Sequence, residues 1–340
     1  MAIRVGIIGA GKMGLSHFAI ANALPEAAVV AVCDTSRYVL SVLRKYAGVQ
    51  TFTHHDEMID EARLDAVIVA TPTSTHFTYA KDALERDVHV FVEKPLTLSP
   101  TESLALSELA ISRKRVNQVG FHNRFIATFQ EAQRLLRAGT LGTVSNVHGS
   151  AFGQVVIKEQ NRTWRSKKSE GGGCLHDYAS HVIDLMNLLV GPPSRVQGAS
   201  LQSIFSEDVE DAVSAVFLYR DGVTGILETN WSDETYRKMT TTVTLHGSRG
   251  KMVVDRQELK IYLREGCGFE DYVEGWNTRY ITSLQKPVAF YLRGEEYSAQ
   301  LEAFVGAIRA SNVAHENSFA SAYETDRAVD LIIRANRANR

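Results

Sequence analysis

A glycine-rich turn directly after the first apolar run restricts the fold of this chain more than any other feature. Ile3–Ile8 is typical of a buried strand, and the sequence GAGKMG at Gly9–Gly14 follows it with the spacing G-x-G-x-x-G. Gly9 permits a tight turn, and Gly11 allows the backbone to approach a bound pyrophosphate. Gly14 lets the next helix pack closely on the strand. A strand before the turn and a helix after it predict a βαβ unit of a parallel sheet, although a glycine turn without a cofactor is the alternative.

An acidic residue at the end of the second predicted strand indicates which cofactor such a turn would bind. Asp34 directly follows Val29–Cys33, and its carboxylate would accept hydrogen bonds from adenosine ribose hydroxyls and repel a 2'-phosphate. This favours NAD, but Arg37 lies nearby and could neutralise a phosphate, so NADP stays open. The residues predicted to contact the cofactor are Gly9, Gly11, Lys12, Met13, Gly14, Asp34, Arg37, Thr71, Pro72, His76 and Glu93.

Some of these predicted cofactor residues lie in two segments that follow later strands, and each segment could have a structural role instead. Thr71-Pro72 and Glu93-Lys94-Pro95 come directly after apolar runs, so they should lie at the carboxyl edge of the sheet, where ligands of open parallel sheets bind. Thr71-Pro72 could border the nicotinamide or only form a turn. His76 could instead cap or pack a helix, and Glu93 with Lys94 could form an ordinary surface ion pair.

The order of apolar runs divides the chain into two parts. Up to about residue 122, strand-like runs alternate with helical segments, which predicts an α/β Rossmann domain with a doubly wound parallel sheet over residues 1–122. Beyond it, closely spaced strand-like runs and tight turns predict an α+β domain over residues 123–340, with a large, mainly antiparallel open sheet and helices on one face. The predicted strands of this second domain are Arg195–Phe205, Ala212–Tyr219, Thr224–Trp231, Thr241–His246, Lys251–Val254 and Leu259–Leu263, and residues 264–294 are expected to be irregular.

Composition excludes several classes of function. A formal net charge of −2 gives no electrostatic reason to expect nucleic acid, and no apolar run reaches the roughly 18 residues that a membrane-spanning helix needs. The first strand runs directly into a glycine turn, unlike a signal peptide. Cys33, Cys174 and Cys267 match neither a disulfide framework nor a zinc site. We therefore expect a cytoplasmic protein without a metal, a nucleic-acid partner or a membrane span.

A second motif lies in the predicted substrate domain. Gly171–Gly173 leads into a predicted helix, Leu175–Val190, that carries Asp177 and His181 four residues apart. On an α-helix these positions share one face, so both side chains could meet one ligand, although an isolated pair of this kind is more often structural. Histidine suits proton transfer near neutral pH. The candidate substrate contacts are Lys94, Asn123, Arg124, Trp164, Arg165, Asp177 and His181, while Asp184 could face the cofactor or satisfy a buried polar group.

Together these motifs resemble the Gfo/Idh/MocA oxidoreductase family. The residues that carry the resemblance are Gly9–Gly14 with Asp34, Ala70-Thr71-Pro72, Glu93-Lys94-Pro95, Gly120–Phe125, Trp164-Arg165 and Gly171–Asp184, in the family's order. The resemblance implies a Rossmann domain, a C-terminal domain with an open sheet, and hydride transfer between a nicotinamide and a carbon bearing oxygen on a sugar-like substrate. It also implies a homodimer or homotetramer that associates through the C-terminal sheet.

The resemblance assigns roles to three residues. Lys94 is the family's catalytic-site lysine, Asp177 its substrate-orienting carboxylate and His181 its acid/base, and the Lys94–Pro95 bond is often cis in relatives. Lys94 could stabilise a developing alkoxide or take the proton itself. The substrate could be a free sugar or inositol, or a nucleotide-linked or phosphorylated sugar, which the basic residues around Arg165 slightly favour. A nicotinamide-sensing regulatory protein without catalysis is the alternative of a different class.

Overall fold

The computed structural model describes residues 2–156, 164–313 and 315–338, and the chain forms two compact units. Unit 1 comprises Met1–His122 and Pro287–Tyr323, and unit 2 comprises Asn123–Lys286 and Glu324–Arg340. The predicted fold class is confirmed, because unit 1 contains a parallel six-stranded sheet and unit 2 a mostly antiparallel eight-stranded sheet. The strands are Ile3–Ile8 (β1), Ala27–Cys33 (β2), Gln50–Phe52 (β3), Ala66–Val69 (β4), His89–Val92 (β5), Asn117–Val119 (β6), Val144–Phe152 (β7), Arg195–Gln202 (β8), Ala212–Leu218 (β9), Thr224–Asn230 (β10), Thr242–Gly247 (β11), Gly250–Asp255 (β12), Glu258–Leu263 (β13) and Gly275–Tyr280 (β14).

The helices are distributed over both units. They are Lys12–Ala23 (α1), Arg37–Ala47 (α2), His55–Glu61 (α3), His76–Glu85 (α4), Pro100–Ser112 (α5), Ala127–Arg137 (α6), Ser180–Val190 (α7), Ile281–Leu284 (α8), Glu295–Arg309 (α9) and Phe319–Ala338 (α10). None of the helices in the described ranges combines the length and the apolar character needed to cross a membrane.

Unit 1 is a doubly wound sheet with the strand order β3-β2-β1-β4-β5-β6. All of its paired strands run parallel. The four residues of β4 are all buried, which explains why this strand is a continuous apolar run. The strand order reverses between β1 and β4, and ligands of open α/β sheets bind at this point, outside the carboxyl ends of the strands.

A C-terminal stretch also belongs to unit 1. Residues 287–323 group with unit 1, whereas the sequence predicts that they belong to a second domain over residues 123–340. The physical reason is the apolar side of α9, where Leu301, Phe304 and Val305 are buried in one cluster with side chains of β1. The Phe304 ring meets Phe91 of β5 edge-on at 5.8 Å between centroids.

Unit 2 is built around a strand that is missing from the predicted ones. β7 lies inside the sheet β14-β13-β12-β11-β7-β10-β9-β8, where it pairs parallel with β10 and antiparallel with β11. Its sequence VSNVHGSAF has few large apolar residues, so it lacks the strong strand signal of its neighbours. Gly149 allows the close approach of α7, since a Cβ atom there would lie 2.4 Å from Val182 Cγ1.

The segment expected to be irregular is partly regular. Residues 264–294 contain β14 and the short helix α8, so the expectation of an irregular segment is wrong for this part. β14 is an edge strand whose residues are alternately exposed and half-buried, and it therefore lacks the apolar face of an inner strand.

One face of the eight-stranded sheet is covered and the other is open. Alternate residues of β9, β10 and β13 are buried, while the residues between them are exposed or partly exposed. The buried face joins α6, α7 and the end of α10 in one apolar cluster. The open face, called the outer face below, carries apolar side chains of exposed residues: Val216, Ile226, Tyr262, Trp276 and Tyr280.

Candidate active site

The glycine turn of unit 1 has the geometry of a pyrophosphate cradle. Gly9 has a φ of +95°, which only glycine adopts readily. A Cβ on Gly14 would lie 1.8 Å from the Gly9 carbonyl oxygen, so the close contact between turn and helix requires glycine there. At Gly11 a Cβ would meet no protein atom within 4 Å, which leaves space beside the N-terminus of α1 for a ligand. Free backbone N–H groups at a helix N-terminus favour an anion.

The carboxylate of Asp34 is fixed by the same turn. Its Oδ2 accepts a hydrogen bond from the backbone N–H of Ala10 at 2.6 Å, and its Oδ1 accepts one from Ser36 at 2.7 Å. The side chain therefore links the end of β2 to the glycine turn before any ligand binds. Of the other predicted cofactor residues nearby, Lys12 and Arg37 are exposed and Met13 is half-buried.

His76 connects two loops at the carboxyl edge of the sheet. It is fully buried, and its Nδ1 and Nε2 lie 2.9 Å and 3.0 Å from the carbonyl oxygens of Pro95 and Thr71. Burial lowers the pKa of His76, against the opposite effect of these carbonyl groups. Both ring nitrogens face the protein backbone, so the structure favours the packing role of His76 over a cofactor contact.

Glu93 and Lys94 follow β5 as expected, but they are not an ordinary surface pair. Glu93 Oε1 accepts a hydrogen bond from Nε2 of the fully buried His17 at 2.6 Å. Its Oε2 accepts one from the backbone N–H of Lys94 at 3.2 Å. The Lys94–Pro95 peptide bond is cis.

In unit 2, the glycines before the Asp177 motif lie against the Trp164-Arg165 segment. A Cβ on Gly172 would lie 2.3 Å from the Arg165 carbonyl oxygen, and the N–H of Gly173 donates to this oxygen at 3.1 Å. Gly173 also has a φ of +105°. The triplet therefore brings the backbone of Arg165 next to the start of the segment that carries Asp177.

The helix after the glycines is not a regular α-helix throughout. Leu175–Ala179 is π-helical and continues into α7. Asp177 lies in the wider π-helical turn and His181 in the α-helix, so the i, i+4 argument for a shared face of one α-helix does not apply to this pair. Both residues are buried, each with 5% of its surface exposed. Single π-helical turns occur often at functional sites.

Glu210 anchors the start of this segment and is missing from the predicted residues. Its backbone carbonyl accepts a hydrogen bond from Cys174 N–H, and its Oε1 accepts one from Leu175 N–H, each at 2.9 Å. Its carboxylate also fills the space beside Gly173, where a Cβ would lie 2.2 Å from Oε1. Burial raises the pKa of Glu210, against the opposite effect of the Leu175 hydrogen bond. A helix-anchoring acid 35 residues away in sequence has no local signature.

Trp164, Arg165 and Asp177 are brought together. Arg165 Nε donates to Asp177 Oδ2 at 2.9 Å, and its guanidinium lies 4.8 Å from the centroid of the Trp164 ring. Burial lowers the pKa of Arg165, but the charge and hydrogen bond of Asp177 outweigh it, and the net shift is upward. An anionic Asp177 beside a permanently charged arginine can accept hydrogen bonds from substrate hydroxyls.

Arg124 lies in a buried ion pair. Its Nε and Nη2 donate to the two carboxylate oxygens of Asp184 at 2.7 Å and 2.5 Å, and the two side chains are 7% and 1% exposed. Thr325 donates to Asp184 Oδ1 at 3.4 Å. These contacts favour a structural role for Arg124 over the predicted substrate contact, and for Asp184 the role of a buried polar partner. Asn123 is also buried, with its Oδ1 3.4 Å from Arg256 Nη1.

Cys33 and Cys174 are poor candidates for nucleophiles. Burial, together with the charge of Asp34, raises the pKa of Cys33 to about 12. Burial also raises the pKa of Cys174 well above its ordinary value. A thiol of raised pKa is a weak nucleophile because the thiolate is the reactive form. Within the described ranges, no group of three or more His, Cys, Asp or Glu side chains is arranged to hold a metal ion.

Comparisons with known proteins agree with this geometry. Residues 3–121 match the family model described as "Oxidoreductase family, NAD-binding Rossmann fold", and residues 129–253 match the "GFO/IDH/MocA C-terminal domain". The NAD-binding character expected from the glycine turn is therefore confirmed at the level of the family.

Individual relatives share about a quarter to a third of their residues with this chain. The chain is 30% identical to scyllo-inositol 2-dehydrogenase (NAD(+)) of Bacillus subtilis over 56% of its length and 54% of that protein. It is 27% identical to levoglucosan dehydrogenase of Pseudarthrobacter phenanthrenivorans over 76% of each chain. A solved structure of levoglucosan dehydrogenase with NADH and levoglucosan gives a TM-score of 0.88 at 24% identity, covering 99% of this chain and 98% of that one. The structural likeness shows a shared fold.

Two glycine substitutions separate cofactor binding from folding. We expect the free energy of unfolding of Gly11→Ala to lie within about 1 kcal/mol of the wild-type value, because the substitution changes only the N-cap preference of α1. Its affinity for NADH should fall at least about tenfold, since the methyl group occupies the pyrophosphate space. The matched variant Gly14→Ala should lose about 1–3 kcal/mol of stability, because its Cβ meets backbone. Calorimetric titration measures the NADH affinity of each variant, and urea unfolding measures its stability. Normal NADH binding by Gly11→Ala would contradict the assignment of this turn as the pyrophosphate site.

Removal of Arg124 tests its structural role. Arg124→Ala should cost about 3–5 kcal/mol of unfolding free energy at neutral pH, because it leaves Asp184 as a buried charge without its cation. Burial raises the pKa of Asp184, so the loss should shrink as the pH falls and the carboxyl group is protonated. The control Arg134→Ala breaks exposed ion pairs with Glu131 and Glu270 and should cost at most about 1 kcal/mol. An unchanged stability with a raised KM would instead make Arg124 a substrate contact.

Proposed function

Because the chain belongs to the Gfo/Idh/MocA family of oxidoreductases, we propose that it is an NAD-dependent dehydrogenase or ketoreductase of a sugar-like polyol. The observation that carries the proposal is the cofactor turn of unit 1, where Asp34 is fixed to Ala10 and the space beside Gly11 is open. Asp34 favours NAD over NADP, because its carboxylate would repel a 2'-phosphate. A bound nicotinamide supplies the hydride acceptor or donor.

The residues of the chain supply the proton chemistry and the substrate contacts. In the oxidation direction, His181 takes the proton of the substrate hydroxyl, and in reduction it returns this proton to the oxygen. Asp177, held by Arg165, accepts a hydrogen bond from a substrate hydroxyl and orients the ring. Lys94 stabilises negative charge on the reacting oxygen as a cation, or accepts the proton in place of His181.

We further propose an uncharged substrate, such as a cyclitol or an anhydrosugar. Arg165 and Arg124 are engaged by Asp177 and Asp184, and Lys167 Nζ lies 2.8 Å from a carboxylate oxygen of Glu170. A phosphate or diphosphate would have to compete with carboxylates for these three cations, whereas neutral hydroxyls would not. These ion pairs outweigh the slight preference for phosphorylated or nucleotide-linked sugars that the basic residues around Arg165 suggest.

A substrate screen tests the proposed activity. We expect NAD-linked absorbance change with free inositols or anhydrosugars, and less with sugar phosphates or nucleotide-linked sugars. His181→Ala and Lys94→Ala should each lower kcat/KM by about 10²–10⁴-fold. The control His54→Ala changes an exposed histidine of unit 1 and should leave turnover unchanged. Wild-type turnover in both active-site variants would contradict the mechanism, and tight NADH binding without turnover on any class would favour a sensor.

We also propose that two or four copies associate through the outer face, in the cytoplasm. Ile226 and Val216 are direct cross-strand partners on this face, with 44% and 39% of their surfaces exposed. Together with Tyr262, Trp276 and Tyr280 they form the apolar component of a surface that a second copy could cover. The free cysteines suit a reducing compartment.

A charge on the outer face should disrupt this association. Ile226→Arg should lower the molar mass measured by light scattering after gel filtration, because the buried guanidinium would lack a partner. The control Ile111→Arg changes a still more exposed isoleucine, in α5, and its mass should equal that of the wild type. A monomeric wild type, or an Ile226→Arg variant of unchanged mass, would contradict association through this face.

A further inference from the structure

A buried histidine of α1 contacts the strand end that carries Lys94. His17 lies three residues after Gly14, on the side of α1 that faces the sheet, and none of its surface is exposed. Its Nε2 donates to Glu93 Oε1 at 2.6 Å. The ring also meets Phe91 edge-on, with 5.1 Å between centroids, so its orientation is fixed by packing.

The Glu93 carboxylate is held on several sides. Oε2 accepts the backbone N–H of Lys94 at 3.2 Å. A Cβ at Gly120 would lie 2.9 Å from Oε2 and 3.1 Å from Cδ, so the carboxylate lies directly against this glycine. With His17 on Oε1, the carboxylate has little freedom to rotate, and it connects α1 to the peptide of Lys94.

The surroundings of Glu93 keep it ionised. Burial alone would raise its pKa, but the hydrogen bond and charge of His17, with the charges of His122 and Lys94, bring it below the ordinary value. A carboxylate is a better acceptor for the Lys94 N–H than a protonated carboxyl group. The charged and titratable groups that face Glu93 are His17, His76, Lys94, His122 and Tyr297.

We propose that His17 is a positioning residue, which holds Glu93 as an anion on the backbone N–H of Lys94 and so fixes the direction of the Lys94 side chain just beyond the end of β5. The same helix begins at the pyrophosphate turn, so one rigid element carries both the cofactor cradle and the support for Lys94. The role of Lys94 in turnover rests on the proposed function; the hydrogen-bonded arrangement does not.

The Lys94 amide resonance in [¹⁵N]lysine-labelled protein tests this arrangement without a substrate. In the wild type we expect little shift attributable to Glu93 between about pH 9 and about pH 5, because the carboxylate stays ionised. In His17→Leu the pKa of Glu93 should rise, because its burial is no longer offset by the His17 donor, and the amide should then titrate towards the acidic end of this range. His17→Gln, which keeps a donor, should resemble the wild type, and adding Glu93→Gln to His17→Leu should remove the titration while retaining the other histidines.

Activity supplies a second readout if the screen yields a substrate. The kcat of His17→Leu should fall as the pH decreases through the midpoint of its Lys94 amide, while the Kd for NADH should stay within about threefold of the wild type. A loss of stability alone, with a pH-independent amide, would make His17 merely structural and overturn the proposal. If His17→Leu does not fold, Glu93→Gln decides: an unchanged Lys94 amide resonance would show that Glu93 does not hold this peptide.

Discussion

The cost of burying a carboxylate without a donor determines much of this structure. Each buried or half-buried acid near the candidate site is met by a specific group: Asp34 by backbone N–H of the glycine turn, Glu93 by His17, and Asp177 by Arg165. An unmatched buried charge costs several kcal/mol, so these contacts fix the acids in place. Each of these acids is therefore held within its own unit before a ligand binds.

The parts of the fold that local sequence determines could be predicted. The turn at Gly9–Gly14, its flanking strand and helix, and the acid at Asp34 all depend on short-range rules, and the structure has them in the expected places. β7 could not be predicted, because its place inside a sheet comes from its neighbours and not from strong apolar residues of its own. The π-helical turn Leu175–Ala179 could not be predicted from local sequence either, because its first residue is held by Glu210, 35 residues later.

Contacts between distant residues account for the remaining differences at the site. The sequence marks Arg124 as a cation after a strand end, but its pairing with Asp184, 60 residues later, turns it into a buried structural group. His17 has the appearance of an ordinary core histidine until Glu93 is placed beside it. In the sequence, the position of His17 three residues after Gly14 is the feature that links it to the cofactor turn. The proposal of an uncharged substrate likewise rests on ion pairs, because Asp177, Asp184 and Glu170 engage cations that the sequence alone leaves available for a phosphate.

Isotope transfer tests most directly whether this chain moves hydride between a polyol carbon and a nicotinamide. The measurement uses a polyol with deuterium at the carbinol carbon and follows the nicotinamide product by mass spectrometry. Direct hydride transfer predicts that the reduced nicotinamide carries deuterium in an amount equal to the polyol oxidised. Reduced nicotinamide without deuterium, or consumption of the polyol without reduction of NAD, would contradict it.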